Sequence, residues 1–394
     1  QPIVDFMVRS VEELLKREFG RSLSDEGVQI LDPFTGTGNF IVRILREIRK
    51  SALPGKFGAE LHCNEVMLLP YYIAAQNIEH AFYELTGEYQ PFDGLCLVDT
   101  FQLAEGPQMA MSFMTAANTE RVERQKRAPI FVIIGNPPYN ARQVNENDNS
   151  KNRKYPELDQ WVAQTYAKDS SATNKNSLSD PYVKSFKWAS KRIEENGEGI
   201  VAFVSNNSFI EKSSFDGMRR HLANDFNRLY VLDLKGDIRR DSMKDGIPLG
   251  EEHTVFGLSA MVGVSIAFLV RHKDSTEHKI FVSEVDFRAT RDEKFAMLEK
   301  AQNALNLEWR EIIPDDRYTW LTEGLENDFD SLMPMGSKES KTQTIFDVFT
   351  NGVKTNRDVW AFNFSPDELS QNIQRMIETY NDHVGRWARL ATNG

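Results

Sequence analysis

The sequence predicts an α/β fold built on a mostly parallel sheet. The segment 129–134 is continuously apolar, as is typical of a strand that is buried on both faces of such a sheet. The segment 28–50 passes from an apolar strand through a loop with two glycines into an amphipathic helix. Polar side chains follow four successive predicted strands, at Asp32, Glu65, Asp99 and Asn136. Since ligands of open α/β sheets bind at the carboxyl ends of strands, these residues predict one site.

The first strand leads into the loop 32–38, which reads Asp-Pro-Phe-Thr-Gly-Thr-Gly. Glycines at Gly36 and Gly38 allow a ligand to approach the backbone closely. The loop is not a P-loop, because Asn39-Phe40 stands where Lys-Ser/Thr is required, and the third glycine of the dinucleotide fingerprint is missing. The remaining interpretation is a loop for a ligand without a phosphate chain, with Asp32 able to accept a cationic amine.

The second and third strands, predicted at 59–64 and 94–98, each end at a carboxylate. Glu65 is placed where nucleotide-binding α/β folds hold the ribose hydroxyls. Asp99 offers an acceptor for an adenine amine, and Phe101 offers an aromatic face for its ring. A single carboxylate at such a position is usually a cap or a solvated turn residue. The recurrence at successive strand ends favours a binding site.

The fourth strand ends in the sequence Asn136-Pro137-Pro138-Tyr139. The two prolines fix the backbone and offer carbonyl groups without N–H donors, so they predict a rigid loop. An ordinary turn after a strand is the alternative interpretation, but this tetrapeptide is far less common than a single proline.

Together these motifs resemble those of a gamma-class, adenine-specific amino DNA methyltransferase. Further strings, at 4–11, 180–184, 204–210 and 351–358, resemble the methyltransferase part of the type ISP single-chain restriction–modification enzymes. The resemblance implies a Rossmann-like, S-adenosylmethionine-dependent sheet whose last strand is antiparallel. It also implies a partial α/β or mixed target-recognition region after the sheet.

The resemblance assigns roles to individual residues. For S-adenosylmethionine it implies a binding set that consists of Asp32, Phe34, Thr35, Gly36, Gly38, Glu65, Asp99 and Phe101. For catalysis it implies that Asn136 and the Pro137 carbonyl accept hydrogen bonds from the target amine, with Pro138 completing the loop and Tyr139 stacking on the flipped base. No metal is implied. Candidate contacts with DNA or the target base are Phe209, Lys235, Arg239, Lys354 and Arg357, and for Phe209 the alternative is a buried anchor of the next helix.

The expected domains are a methyltransferase domain at 1–272, with its N-terminal motif clipped, and a linker with the start of a truncated target-recognition domain at 273–394. Within the first, strands are expected at 199–204, 228–234 and 263–271. In the second, the pattern predicts an edge strand at 279–285, a helix at 291–305, an irregular connection at 309–336 and two strands at 344–352 and 354–364. Ser365 begins a helix that reaches about residue 389, with Pro366 in its first turn and Glu368 three residues on.

The charge and the apolar content of the sequence bear on which partners the protein can have. The net charge of −11 is unusual for a protein that binds DNA, so we expect a locally basic part of its surface to make the DNA contacts. No apolar run is long enough to span a membrane, and we expect a cytoplasmic, prokaryotic protein. The expected partners are double-stranded DNA and nuclease or translocase regions of the same parent polypeptide. The alternatives are a glutamine-amide or RNA methyltransferase and a non-catalytic DNA-recognition scaffold.

Overall fold

The computed structural model falls into two compact units, Gln1–Thr322 and Glu323–Gly394. The structure describes residues 1–105, 115–138, 154–237, 243–244, 247–248, 253–257, 262–286, 289–315, 318–321, 333, 335–336, 343–346, 348 and 361–392. Within this part of the chain, no helix combines the length and the apolar character that crossing a membrane requires.

A large sheet forms the centre of the first unit. The strands in chain order are β1 (Gln29–Asp32), β2 (Leu61–Glu65), β3 (Leu95–Leu97), β4 (Ile130–Gly135), β5 (Gly199–Asn206), β6 (Arg228–Asp233), β7 (Met243–Lys244), β8 (Ile247–Pro248), β9 (Val264–Arg271), β10 (Lys279–Glu284) and β11 (Arg310–Ile312). Their spatial order is β11-β10-β6-β9-β5-β4-β1-β2-β3, with β7 and β8 pairing separately. β1 to β5 pair in parallel, whereas β9 is antiparallel to both β5 and β6. The predicted mostly parallel sheet is therefore confirmed, as is the antiparallel direction of the strand expected at 263–271, although β10 and β11 follow that strand in the same sheet.

Helices cover both faces of this sheet. They are α1 (Pro2–Phe19), α2 (Asn39–Glu47), α3 (Leu53–Gly55), α4 (Leu68–Thr86), α5 (Ala116–Arg127), α6 (Pro156–Val162), α7 (Pro181–Asn196), α8 (Ser208–Glu211), α9 (Asp216–Asp225) and α10 (Arg291–Ala301), with α11 (Pro366–Thr392) in the second unit. α1, α2, α4 and α10 contribute to one apolar core, and α6 to α9 contribute to the other.

Alternation along β5 shows why its sequence is apolar throughout. Ile200, Ala202 and Val204 belong to the first core, while Val201 and Phe203 belong to the second. Successive side chains of a strand point to opposite faces, so a strand covered on both sides needs apolar residues at every position. This packing fixes the carboxyl edge of the sheet, where the candidate residues lie.

The chain after residue 272 differs from the expectation. β10 is an inner strand, because it pairs with β6 on one side and with β11 on the other. The edge strand is β11, in a stretch where the sequence predicted an irregular connection. The expected boundary at residue 272 therefore falls inside the first compact unit, which reaches Thr322. The division into the two named domains stays a prediction.

In the second unit, α11 begins where the sequence predicted. The Ser365 hydroxyl accepts a hydrogen bond from the backbone N–H of Glu368 at 3.4 Å, as an N-terminal cap does. The two strands predicted between 344 and 364 lie largely outside the described residues.

Candidate active site

A pocket of about 200 Å³ opens at the carboxyl ends of β1 to β4. Its walls bring together most of the predicted cofactor residues with the loop after β4, namely Phe34, Gly36, Glu65, Asp99, Phe101, Asn136 and Pro138. We call it the first pocket. Residues as far apart in the sequence as Pro33 and Pro138 meet here, because four parallel strands end at the same edge.

Glu65 ties the loop after β1 to the start of α4. Its Oε2 accepts the backbone N–H of Gly36 at 2.9 Å, and its Oε1 accepts that of Met67 at 2.7 Å. Burial raises the pKa of the Glu65 carboxyl, and the N–H groups of Met67 and Gly36 oppose that rise. The carboxylate is thus held in a fixed orientation at the pocket wall.

Asp99 and Phe101 lie on the turn that follows β3. Asp99 Oδ1 accepts the backbone N–H of Phe101 at 3.0 Å, and the Phe101 ring lies 5.5 Å from the Phe34 ring. The Thr100 hydroxyl donates to the Pro33 carbonyl at 2.6 Å and accepts from the Asn64 amide at 3.0 Å. This chain of hydrogen bonds joins the ends of β1, β2 and β3, and the sequence analysis did not identify it.

Close approaches explain two of the glycines. Gly38 has a φ of +89°, and a Cβ there would lie 3.2 Å from the Ile78 side chain. A Cβ on Gly135 would lie 2.8 Å from Asp32 Oδ1. The glycine before Asn136 therefore lets β4 pass directly beside the Asp32 carboxyl.

Asp32 lies behind the loop and does not line the described walls of the pocket. It is fully buried, and its Oδ1 accepts the backbone N–H of Phe34 at 3.1 Å. Among the described residues, Oδ2 has no hydrogen-bond partner. Burial raises the pKa of Asp32 to about 8, so at neutral pH the carboxyl is mostly protonated. Its predicted contact with a cationic amine stays a prediction.

This burial predicts a pH dependence of stability. The unfolded chain loses the Asp32 proton near its ordinary pKa of 3.8, whereas the folded chain keeps it up to about 8. As pH rises between these values, the free energy of unfolding should therefore fall, by at most about 1.4 kcal/mol per pH unit from this group. Asp32→Asn has no such proton to lose, so its urea-unfolding free energy should fall less steeply over this range. Equal slopes for the two proteins would contradict the assignment.

A second pocket, of about 540 Å³, adjoins the first. The two share Phe34, Gly36 and Asn136 in their walls, and Thr35 lines the second. Asn136 is exposed, while Pro137 behind it is buried. Other residues of this wall, above all Val255, Phe256 and Phe295, were not predicted from the sequence. Their local sequence gave no signal, because they reach the pocket from the β6–β9 connection and from α10.

Two residues that were predicted to contact DNA or the target base, Phe209 and Lys235, make contacts within the chain. Phe209 is fully buried, with its ring 5.2 Å from Phe186 and 6.1 Å from Trp320, which supports the alternative of a buried anchor rather than a contact with the base. Lys235 forms ion pairs with Asp233 at 3.0 Å and with Glu284. Its ammonium group is thus engaged within the chain. Tyr139, Arg239, Lys354 and Arg357 lie outside the described residues.

Known proteins resemble the chain in both units. Residues 108–238 match the model of the Eco57I restriction-modification methylase family, and residues 344–393 match the Type ISP C-terminal specificity domain. No curated protein matches the sequence.

Three solved structures resemble it over nearly its whole length. A nuclease-deletion mutant of the Type ISP restriction-modification enzyme LlaGI, in complex with a DNA substrate mimic, is 41% identical with a TM-score of 0.88, over 98% of this chain and 31% of that one. The ATP-dependent Type ISP enzyme LlaBIII bound to DNA is 38% identical with a TM-score of 0.87, over 98% and 26%. The DrdV–DNA complex is 39% identical with a TM-score of 0.86, over 97% and 37%.

This chain therefore spans about a third of the length of these relatives. The resemblance to the type ISP enzymes is confirmed. The chain carries an Eco57I restriction-modification methylase domain followed by a Type ISP C-terminal specificity domain.

Proposed function

We propose that this chain transfers a methyl group from S-adenosylmethionine to the exocyclic N6 amine of an adenine in duplex DNA. One observation carries the proposal. The Asn-Pro-Pro loop after β4 opens onto the same pocket as Glu65 and Asp99. The loop that we expect to bind the target amine thus lies beside two carboxylates, Glu65 and Asp99, that could bind a nucleoside.

The first pocket fits the adenosine part of the cofactor. Glu65 would accept the ribose hydroxyls, and Asp99 would accept the adenine amine. Phe34 and Phe101 supply aromatic surface, and the carboxylates favour a ligand with a positive charge. The second pocket leads from Asn136 past the glycine loop, and we assign to it the methionine part and the target base.

Asn136 and Pro137 would act on the target amine. The nitrogen of adenine N6 delocalises its lone pair into the ring, so it is a poor nucleophile. The Asn136 amide oxygen and the Pro137 carbonyl would accept hydrogen bonds from its two N–H groups, which favours a pyramidal nitrogen and stabilises the positive charge that develops there. S-adenosylmethionine would supply a methyl group activated on a sulfonium: the N–C bond would form as the S–C bond breaks, S-adenosylhomocysteine would leave with the electron pair of that bond, and the surplus proton of the nitrogen would pass to water.

A base inside a duplex cannot reach such a pocket, so we propose that the target adenine is flipped out. Tyr139 would then replace part of the lost stacking. Phe256 is partly buried in the wall that also contains Asn136, and it offers a second aromatic contact that the sequence analysis did not include.

DNA is the favoured substrate for two reasons. The C-terminal unit matches a specificity domain, and the three relatives above are solved with DNA or a DNA mimic. A glutamine-amide or RNA methyltransferase would not need that domain. We further propose that the parent polypeptide carries nuclease and translocase regions beyond this chain; the LlaGI structure is that of a nuclease-deletion mutant, and LlaBIII is an ATP-dependent enzyme.

The test is methyl transfer from labelled S-adenosylmethionine to duplex DNA, RNA and release factor in parallel, with mass spectrometry of the DNA nucleosides. We expect N6-methyladenine in DNA and no label in the other two. Methylcytosine in DNA would contradict the adenine assignment. Label in release factor or RNA alone would favour the alternative enzyme class, and binding of DNA without any transfer would favour a recognition scaffold.

A further inference from the structure

We propose that Tyr155 is a positioning residue that orients Asp99 for recognition of the adenine amine of the cofactor. The inference rests on the proposed function. The Tyr155 hydroxyl donates a hydrogen bond of 2.8 Å to Asp99 Oδ2, and this contact spans 56 positions of sequence. Both side chains are buried, with 1% of Tyr155 and 7% of Asp99 exposed. In such surroundings a hydrogen bond to a carboxylate is strong and costly to lose.

The two Asp99 oxygens therefore have different donors. Oδ1 accepts the N–H of Phe101 from its own turn, and Oδ2 accepts the hydroxyl of Tyr155 from the start of α6. A carboxylate held at both oxygens cannot rotate freely. The Tyr155 ring also packs edge-on against the Phe101 ring, at 5.2 Å between centroids. One residue thus supports both side chains that we assign to the adenine.

Tyr155 is itself fixed by its neighbours. Its backbone N–H donates to Asp159 Oδ2 at 3.1 Å, and the other Asp159 oxygen pairs with Lys184 of α7 at 2.5 Å. Glu105, at the end of the turn that carries Asp99, accepts the N–H groups of Glu157 and Leu158 at 3.0 and 3.1 Å. The turn after β3 and the first turn of α6 are therefore joined at two points, and the position of Asp99 depends on α6.

This arrangement has a consequence for ligand selectivity. A fixed carboxylate favours a ligand with an amine at the 6-position of the purine, and it repels one with a carbonyl oxygen there. Without the Tyr155 hydroxyl, Asp99 can turn away. The 6-amino ligand then loses part of its hydrogen bonding to Asp99, and the 6-carbonyl ligand is repelled less strongly. The ratio of the two affinities should therefore shrink, whereas general loosening of the fold would weaken both ligands alike.

The experiment measures calorimetric dissociation constants of S-adenosylhomocysteine and S-inosylhomocysteine for the whole chain and for Tyr155→Phe. The substitution keeps the ring and removes only the hydroxyl. We expect the preference for the adenosyl compound to fall about tenfold, the change that about 1.4 kcal/mol produces. At saturating S-adenosylmethionine, kcat should stay close to that of the unmodified chain, because Tyr155 acts on the cofactor and not on the target base.

The matched control is Tyr182→Phe. Tyr182 is equally buried, and within the described part of the chain its hydroxyl has no hydrogen-bond partner. This variant should keep the preference unchanged. An unaltered preference in Tyr155→Phe, or an equal fall in both variants, would overturn the role of Tyr155 while leaving the proposed function intact. Failure of the unmodified folded chain to bind S-adenosylhomocysteine would overturn both.

Discussion

Asn136→Ala should lower the rate of methyl transfer by about 100- to 1000-fold, the usual cost of removing one preorganised group from a developing charge. The Asn136 side chain is exposed at the junction of the two pockets, where the proposed target amine enters. Affinity for S-adenosylmethionine should change little, because the amide engages the amine of the base and not the cofactor. Single-turnover transfer to duplex DNA and calorimetry with the cofactor measure the two effects separately.

A matched control is Asn196→Ala. This asparagine ends α7 at the opposite edge of the sheet, where its amide donates to the Glu198 carbonyl at 2.8 Å. Its loss should leave methyl transfer unchanged. If Asn136→Ala turned over nearly as fast as the unmodified chain, another group would have to accept the hydrogen bond from the amine.

Glu65→Ala should weaken binding of S-adenosylmethionine by about tenfold or more, since a hydrogen bond to a charged group contributes about 1.5–3 kcal/mol. Two causes act together. The proposed contacts with the ribose hydroxyls are lost, and so is the carboxylate that joins the N–H groups of Gly36 and Met67. Calorimetry on the folded variant gives the change in affinity.

Glu84→Ala is the control for this second substitution. Glu84 lies on α4, its side chain is half exposed, and its ion pairs are with Arg46 at 3.8 Å and with the exposed His80 at 3.3 Å. Pairs of this kind contribute little, so affinity should stay the same. If Glu65→Ala binds as tightly as the unmodified chain, Glu65 does not hold the ribose.

The site residues that sequence reasoning found share one property. Glu65, Asp99 and Asn136 each lie at or just after the carboxyl end of a strand, so local pattern alone locates them at one edge of a parallel sheet. The fold class followed from the same regularity. Short-range motifs report strand ends well, because the strand and its terminal residue are adjacent in the chain.

The remaining features depend on contacts between distant segments. Phe209 follows Asn-Asn-Ser and Phe256 follows His-Thr-Val in the sequence, yet the structure buries the first beside Trp320 and places the second in a pocket wall. Nothing local distinguishes them. Similarly, the bond between Tyr155 and Asp99 and the short edge strand β11 exist only through tertiary packing.

The reversed direction of β9 bears on how target specificity could change over evolutionary time. Because β9 runs opposite to β5 and β6, the connection between β6 and β9 both leaves and re-enters the sheet at the edge that carries Asn136. Val255 and Phe256 of this connection already reach the second pocket. New sequence inserted there would meet the substrate without altering the order of the strands. We expect chimeras that exchange this connection but keep Val255 and Phe256 to retain cofactor affinity while their choice of DNA changes, and a loss of cofactor binding would argue against such modularity.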